Sequence, residues 1–139
     1  MKNFYIATSF SRAQDHNRIR DLLVKNGYRI TYDWTLDTKG RATSREKLLA
    51  VTDAEIKGVL AANTVVVLLP GGNGTHAELG IALGAGKKIL LHCENGDVFE
   101  PGEKACTFYH HPNVTQIVCG IDDKNAFLRA IEKSYEIGH

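Results

Sequence analysis

The sequence predicts a three-layer α/β domain built on a five-stranded parallel sheet, and two observations lead there. Short runs rich in β-branched and aromatic residues alternate with longer segments of helical period, the pattern of a sheet covered by helices on both faces. The run VVVLL at residues 65–69 is apolar without alternation, as a central strand buried on both faces requires.

Taken in order, residues 3–9 (NFYIATS) read as the first strand, followed by a helix over 13–26 with Ile19, Leu22 and Leu23 on one face. Residues 28–33 (YRITYD) read as the second strand. The charged stretch 37–47 (DTKGRATSREK) reads as a mobile loop able to act as a lid. A helix over 45–62 places Leu48, Leu49, Ile56, Val59 and Leu60 together, and the third strand spans 64–69 (TVVVLL). The next helix is expected to start at Thr75 or His76 and to run to Ala85, with Gly86 as its stop. Its Gly80, Ala82, Gly84 and Ala85 leave little side chain, which suits close approach to the sheet or to another subunit. Strands at 88–92 (KILLH) and 114–119 (VTQIVC) and a helix over 123–136 bearing Phe127, Leu128, Ile131 and Tyr135 complete the chain. This succession gives a flavodoxin-like or Rossmann-like domain with strand order 2-1-3-4-5.

At 139 residues the chain fits one domain, and nothing in it marks a linker or a repeat. A formal net charge of +1 supplies no field to hold a polynucleotide or an anionic membrane. Cys93, Cys106 and Cys119 are odd in number and never paired as CxxC, which argues against disulfides and zinc and fits a reducing cytoplasm. The N-terminus is too briefly apolar for a signal peptide, and no segment approaches the roughly 20 apolar residues of a membrane helix. Adjacent His110 and His111, without a carboxylate at ligand spacing, do not make a metal site.

Ligands of such sheets bind beyond the carboxyl ends of the strands, where strand order reverses. That selects three loops: Thr8, Ser9, Phe10, Ser11 and Arg12 after the first strand; Asp33, Trp34 and Thr35 after the second; and PGGNGTHAE after the third. The glycines of the last loop, Gly71, Gly72 and Gly74, let backbone approach a ligand closely and aim helix N–H groups at an anion. With Asn73 and Thr75 they form the expected substrate cradle. The string is neither GxxxxGK[ST] nor GxGxxG, which disfavours a nucleoside triphosphatase or an ordinary dinucleotide site. Glu78 carries two readings. Thr75-His-Ala-Glu78 has the spacing of a capping box, while a carboxylate at the mouth of a pocket can attack a sugar carbon.

Three stretches together resemble the nucleoside 2-deoxyribosyltransferase family, including its deoxynucleoside 5′-monophosphate N-glycosidase branch. They are YIATSFS from Tyr5, the second strand at 27–33, and VVVLLPGGNGTHAELGIALGAGKKIL. The resemblance covers about residues 4–92 and implies that Glu78 is a nucleophile forming a covalent deoxyribosyl intermediate. It further implies that Tyr5 contacts that carboxylate, that the protein is a homodimer or higher homo-oligomer, and that no cofactor or metal takes part. Two departures stand out: Asn63 and the run Gly71-Gly72-Asn73 occupy places where the family commonly has acidic residues. PGGNGTHAE also resembles the phosphoribohydrolases that release cytokinin bases, which cleave the same kind of bond.

The remaining candidates follow from position. Asp33, ending the second strand, is the nearest proton donor for the departing base or a simple turn former. Ser9, Ser11 and Arg12 can hold a 5′-phosphate or cap a helix beside a solvated arginine. Trp34 stacks on a base or packs in the core, and His76 is expected on the solvent side of the first helical turn. The expected function is cleavage or transfer of the N-glycosidic bond of a nucleoside or nucleoside 5′-monophosphate. A phosphoribohydrolase-like enzyme, a TIR-like glycohydrolase acting on NAD and a non-catalytic nucleotide-binding module are the alternatives.

Overall fold

The computed structural model describes residues 2–40 and 44–136. Five parallel strands, β1 (Asn3–Ala7), β2 (Arg29–Ile30), β3 (Thr64–Leu68), β4 (Lys88–Cys93) and β5 (Val114–Val118), form one sheet in the order β2-β1-β3-β4-β5. Four helices, α1 (Ala13–Lys25), α2 (Arg45–Ala61), α3 (Asn73–Gly84) and α4 (Lys124–Glu136), cover it. The sheet order and the three layers are those the sequence predicts. Successive strand residues point to opposite faces. Tyr5, Ala7, Val65, Val67, Ile89 and Leu91 therefore meet Val59, Leu79 and Ala82 on the α2/α3 side. Phe4, Ile6, Val66, Leu68 and Leu90 meet Ile19, Leu23, Phe127 and Ile131 on the α1/α4 side.

The second strand, the helix α2 and the expected lid differ from expectation, as does the start of α3. The second strand is two residues long rather than six, because only Asn3↔Arg29 and Phe4↔Ile30 pair and the chain then turns away at Asp33. The Asp33 side chain accepts the backbone N–H of Thr35 at 3.0 Å, which starts a 3-10 segment over Trp34–Gly40. Helix α2 buries only Gly58 and Val59, while Leu48, Leu49 and Leu60 are 48%, 70% and 48% exposed. Its apolar residues do not form one inward stripe. The helix lies close to the sheet at Gly58, where a Cβ would come within 2.8 Å of Tyr32 and 3.0 Å of Tyr5. Of the expected lid, residues 41–43 lie outside the described residues, and the stretch from Arg45 onward is already α2.

Strand order reverses at β1, whose two neighbours are reached by crossovers in opposite directions. At that point the Thr8 hydroxyl donates to the Leu68 carbonyl at 2.8 Å, tying the ends of β1 and β3 together. The fold thus opens its crevice between the loops that follow these two strands.

Candidate active site

A cavity of about 460 Å³ occupies this crevice. The β1 loop contributes Thr8, Ser9, Phe10 and Ser11, the 3-10 segment contributes Trp34, and α2 contributes Glu55. The start of α3 supplies Gly72, Asn73, Gly74, Thr75 and Glu78.

Helix α3 begins two or three residues earlier than the sequence suggests. Its N-cap is Gly72, with no side-chain cap hydrogen bond, and Asn73 is the first helical residue. Thr75 is therefore the third residue of the helix and Glu78 the sixth, so the capping box does not form. The early start depends on Gly71, where a Cβ would lie 2.4 Å from Thr75 Cγ2, so only glycine lets the loop fold back over the first turn. Thr75 is 2% exposed, and its hydroxyl has no hydrogen-bond partner. Glu78, 7% exposed, lines the cavity and accepts a hydrogen bond at Oε2 from the hydroxyl of Tyr5, which is fully buried in β1. One phenol thus fixes one carboxylate oxygen from beneath the cavity.

The polar wall opposite is backbone and hydroxyl. Ser9 caps the 3-10 turn Phe10–Arg12 through its carbonyl alone, its side chain making no cap bond. Its Oγ would stand 3.7 Å from a Cβ on Gly72, so the hydroxyl and the α3 N-terminus face each other. The first N–H groups of α3 carry the positive end of the helix dipole at this place. Arg12 does not line the cavity. Its guanidinium pairs with Asp15 at 3.0 Å and donates to the Pro70 carbonyl at 3.3 Å, bracing the glycine loop from outside.

Trp34 lines the cavity with a ring that is 1% exposed, and its indole N–H donates to the Ile6 carbonyl at 2.9 Å. That bond fixes the indole in the cavity wall. The exposed aromatic at the rim is Phe10, 52% exposed, with its ring centroid 6.5 Å from that of Trp34.

Asp33 is not brought to the cavity. Its carboxylate accepts from Arg20 at 2.7 Å and from the Thr35 hydroxyl, and lies 3.9 Å from His16. Burial by itself would raise its pKa, but these hydrogen bonds and the neighbouring charge outweigh burial and hold the carboxyl below its ordinary value. A group so held stays ionised, the reverse of what a proton donor needs. Burial keeps His16 below the usual imidazole value despite the attraction of Asp33.

One cavity residue, Glu55, escapes the sequence reading, and Phe10 is named there only as a member of the β1 loop. Glu55 reaches the cavity from α2, one helical turn before Gly58 and Val59. A carboxylate three and four positions from the only buried residues of a helix is the signal that marks it. Phe10 is marked by its place at the carboxyl edge of the sheet, as an apolar residue left half in solvent. Asn63, by contrast, lies just before β3 starts, at the edge of the sheet away from the cavity, and accepts the Asn3 N–H at 3.1 Å. Its departure from the family's usual acidic residue therefore touches strand alignment and not the cavity. Among the described residues no group of three or more His, Cys, Asp or Glu is placed to hold a metal ion, and no helix is long and apolar enough to cross a membrane.

Comparison with known proteins adds the family. Residues 4–128 match the family model described as nucleoside 2-deoxyribosyltransferase. No curated protein matches the sequence. The fold is similar to that of the CMP N-glycosidase BcmB of Clostridium botulinum, with a TM-score of 0.60 and 19% identity over 95% of this chain and 98% of that one. With a match spanning nearly its whole length, this chain belongs to the nucleoside 2-deoxyribosyltransferase family.

Proposed function

We propose that the protein breaks the N-glycosidic bond of a nucleoside 5′-monophosphate or nucleoside, with Glu78 as the nucleophile. The observation that carries this reading is the Glu78 carboxylate itself, buried at the wall of the cavity and held by Tyr5 instead of being spent on a helix cap. As the C1′–N bond lengthens, positive charge grows on the sugar ring, and a fixed carboxylate beside it stabilises that charge. A Glu78 oxygen then bonds to C1′ while the bonding electron pair leaves with the base. Water or a second base attacks C1′ from the other face, and the carboxylate is released, giving overall retention.

The departing base needs a proton. Asp33 does not line the cavity, so we assign that role to Glu55, the other carboxylate lining the space. Phe10 offers a face on which the base stacks, and Ser9, Ser11 and the α3 N-terminus form a cradle for a 5′-phosphate. The steps move protons and a glycosyl group but no electrons to a carrier, so the reading calls for no redox cofactor. Three free cysteines, one buried and two half-buried, suit a reducing compartment, and we place the protein in the cytoplasm.

The test is a panel of deoxynucleosides, ribonucleosides and their 5′-monophosphates, CMP among them, with and without free acceptor base, followed by chromatography of the released base. Release from at least one 5′-monophosphate, faster than from its nucleoside, is expected. No release from any member would overturn the reading, and release of nicotinamide from NAD in its place would favour the TIR-like alternative.

A further inference from the structure

His76 stands on α3 two residues before Glu78, yet it does not face open solvent. Its ring stacks on Tyr109, with centroids 5.9 Å apart and planes at 28°, and its Nε2 is 2.7 Å from the Tyr109 hydroxyl. The other ring nitrogen, Nδ1, is 2.9 Å from the Gly72 carbonyl. A carbonyl oxygen only accepts, so in the neutral ring Nδ1 carries the proton, and Nε2 is left with the lone pair that accepts the Tyr109 O–H. The result is a directed relay, Tyr109 to His76 to Gly72.

Each end of that relay has a different character. Tyr109 belongs to the connection between β4 and β5 and is 8% exposed. Phe99 meets its ring edge-on at 6.0 Å, and Gln116 of β5 donates to its carbonyl at 3.0 Å. It is an anchor. Gly72 is the N-cap of α3 and part of the cavity wall, and no side chain caps the helix there. Its carbonyl also takes the His76 backbone N–H at 3.2 Å, so one residue grips it twice. The direction in which Asn73 and Gly74 present their N–H groups to the cavity follows from how that carbonyl is held.

We propose that His76 is a positioning residue: by fastening the glycine loop to Tyr109 it sets how tightly the cavity holds the phosphate or sugar end of its substrate. The inference rests on the glycosidic reading of the cavity. It acts on binding and not on the reacting atoms, because Glu78 and Tyr5 hold each other independently of this relay.

Three variants test it: His76→Phe, which keeps the ring and removes both hydrogen bonds; His76→Asn, which keeps a donor near the Nδ1 position; and Tyr109→Phe, which removes one hydroxyl. The readouts are KM and kcat for base release, and amide hydrogen exchange over residues 71–75. For His76→Phe, KM is expected to rise about tenfold with kcat within about twofold, the loss of one or two net hydrogen bonds from ground state and transition state alike. Exchange over 71–75 is expected to quicken, His76→Asn to restore most of KM, and Tyr109→Phe to fall between. Unchanged KM and unchanged exchange in His76→Phe would overturn the proposal, as would equal losses of kcat in all three variants. Should His76→Phe fail to fold, Tyr109→Phe decides alone, since deleting one oxygen keeps the packing. If the wild type releases no base, the glycosidic reading fails, and the exchange measurement by itself decides whether His76 fixes the loop.

Discussion

Two acidic residues show how much a side chain's role depends on what donates to it. Glu78 receives a phenol hydroxyl at the wall of a cavity, whereas Asp33 receives Arg20 and Thr35 away from it. Replacing Asp33 by Asn removes an anion that the half-buried Arg20 guanidinium pairs with, and is expected to cost about 1–2 kcal/mol of stability while leaving kcat within about threefold. Because the folded-state pKa of Asp33 is lowered, its contribution is complete above the unfolded value of about 3.9 and is lost as pH falls from there through the folded value. Thermal unfolding of the wild type and Asp33→Asn should therefore differ at neutral pH and converge in acid. A gap that widened in acid would contradict this assignment, and a collapse of kcat without unfolding would return Asp33 to the role of acid. Sequence order alone placed Asp33 at the right edge of the sheet but could not show Arg20, thirteen residues away, turning toward it.

At the scale of elements, glycines decide how closely helices approach the sheet. Gly58 lets α2 lie against Tyr32 and Tyr5, and Tyr5 is the residue that holds Glu78. Gly58→Ala inserts a methyl group where no space exists, with an expected loss of about 1–3 kcal/mol by denaturant unfolding. It is also expected to lower base release by more than its effect on stability explains, since the group displaced is the Tyr5 ring; unaltered kcat and stability would show that α2 shifts freely. Strand and helix identities were legible because apolar runs and the 3.6 period differ plainly, as in VVVLL against residues 123–136. The start of α3 was not, since Thr75-x-x-Glu78 satisfies the rule for a cap while Gly71 and Gly72 permit an earlier turn. Nor was the aspect of α2. Its leucines are spaced for a helix, but whether a helical face turns inward depends on what else covers the sheet.

For the molecule as a whole, the α2/α3 side is the unusual one. It exposes Leu48, Leu49 and Leu60 beside a helix whose Gly80 and Gly84 have no neighbour within 4 Å of an added Cβ. We propose that a second copy of the chain covers this side, because exposed leucines next to small residues form a surface that close helix packing can bury. Light scattering should give a dimer for the wild type and a folded monomer for Leu49→Glu; a monomeric wild type at micromolar concentration would rule the interface out. The topology also explains why the site could be located before its chemistry was visible. Strand order 2-1-3-4-5 fixes a crevice between the β1 and β3 loops, and the sequence then names the side chains that can occupy it. Glu55 enters from a helix and not from either loop, so topology alone does not reveal it.

The most direct measurement is the rate of base release by Glu78→Gln at saturating substrate, with circular dichroism and melting temperature taken on the same preparation. Glutamine keeps the size of the side chain and a partner for Tyr5 but is a far poorer nucleophile, so kcat should fall at least about a thousandfold with the fold intact. Release at close to the wild-type rate from a normally folded Glu78→Gln protein would contradict the assignment of Glu78 as the attacking group.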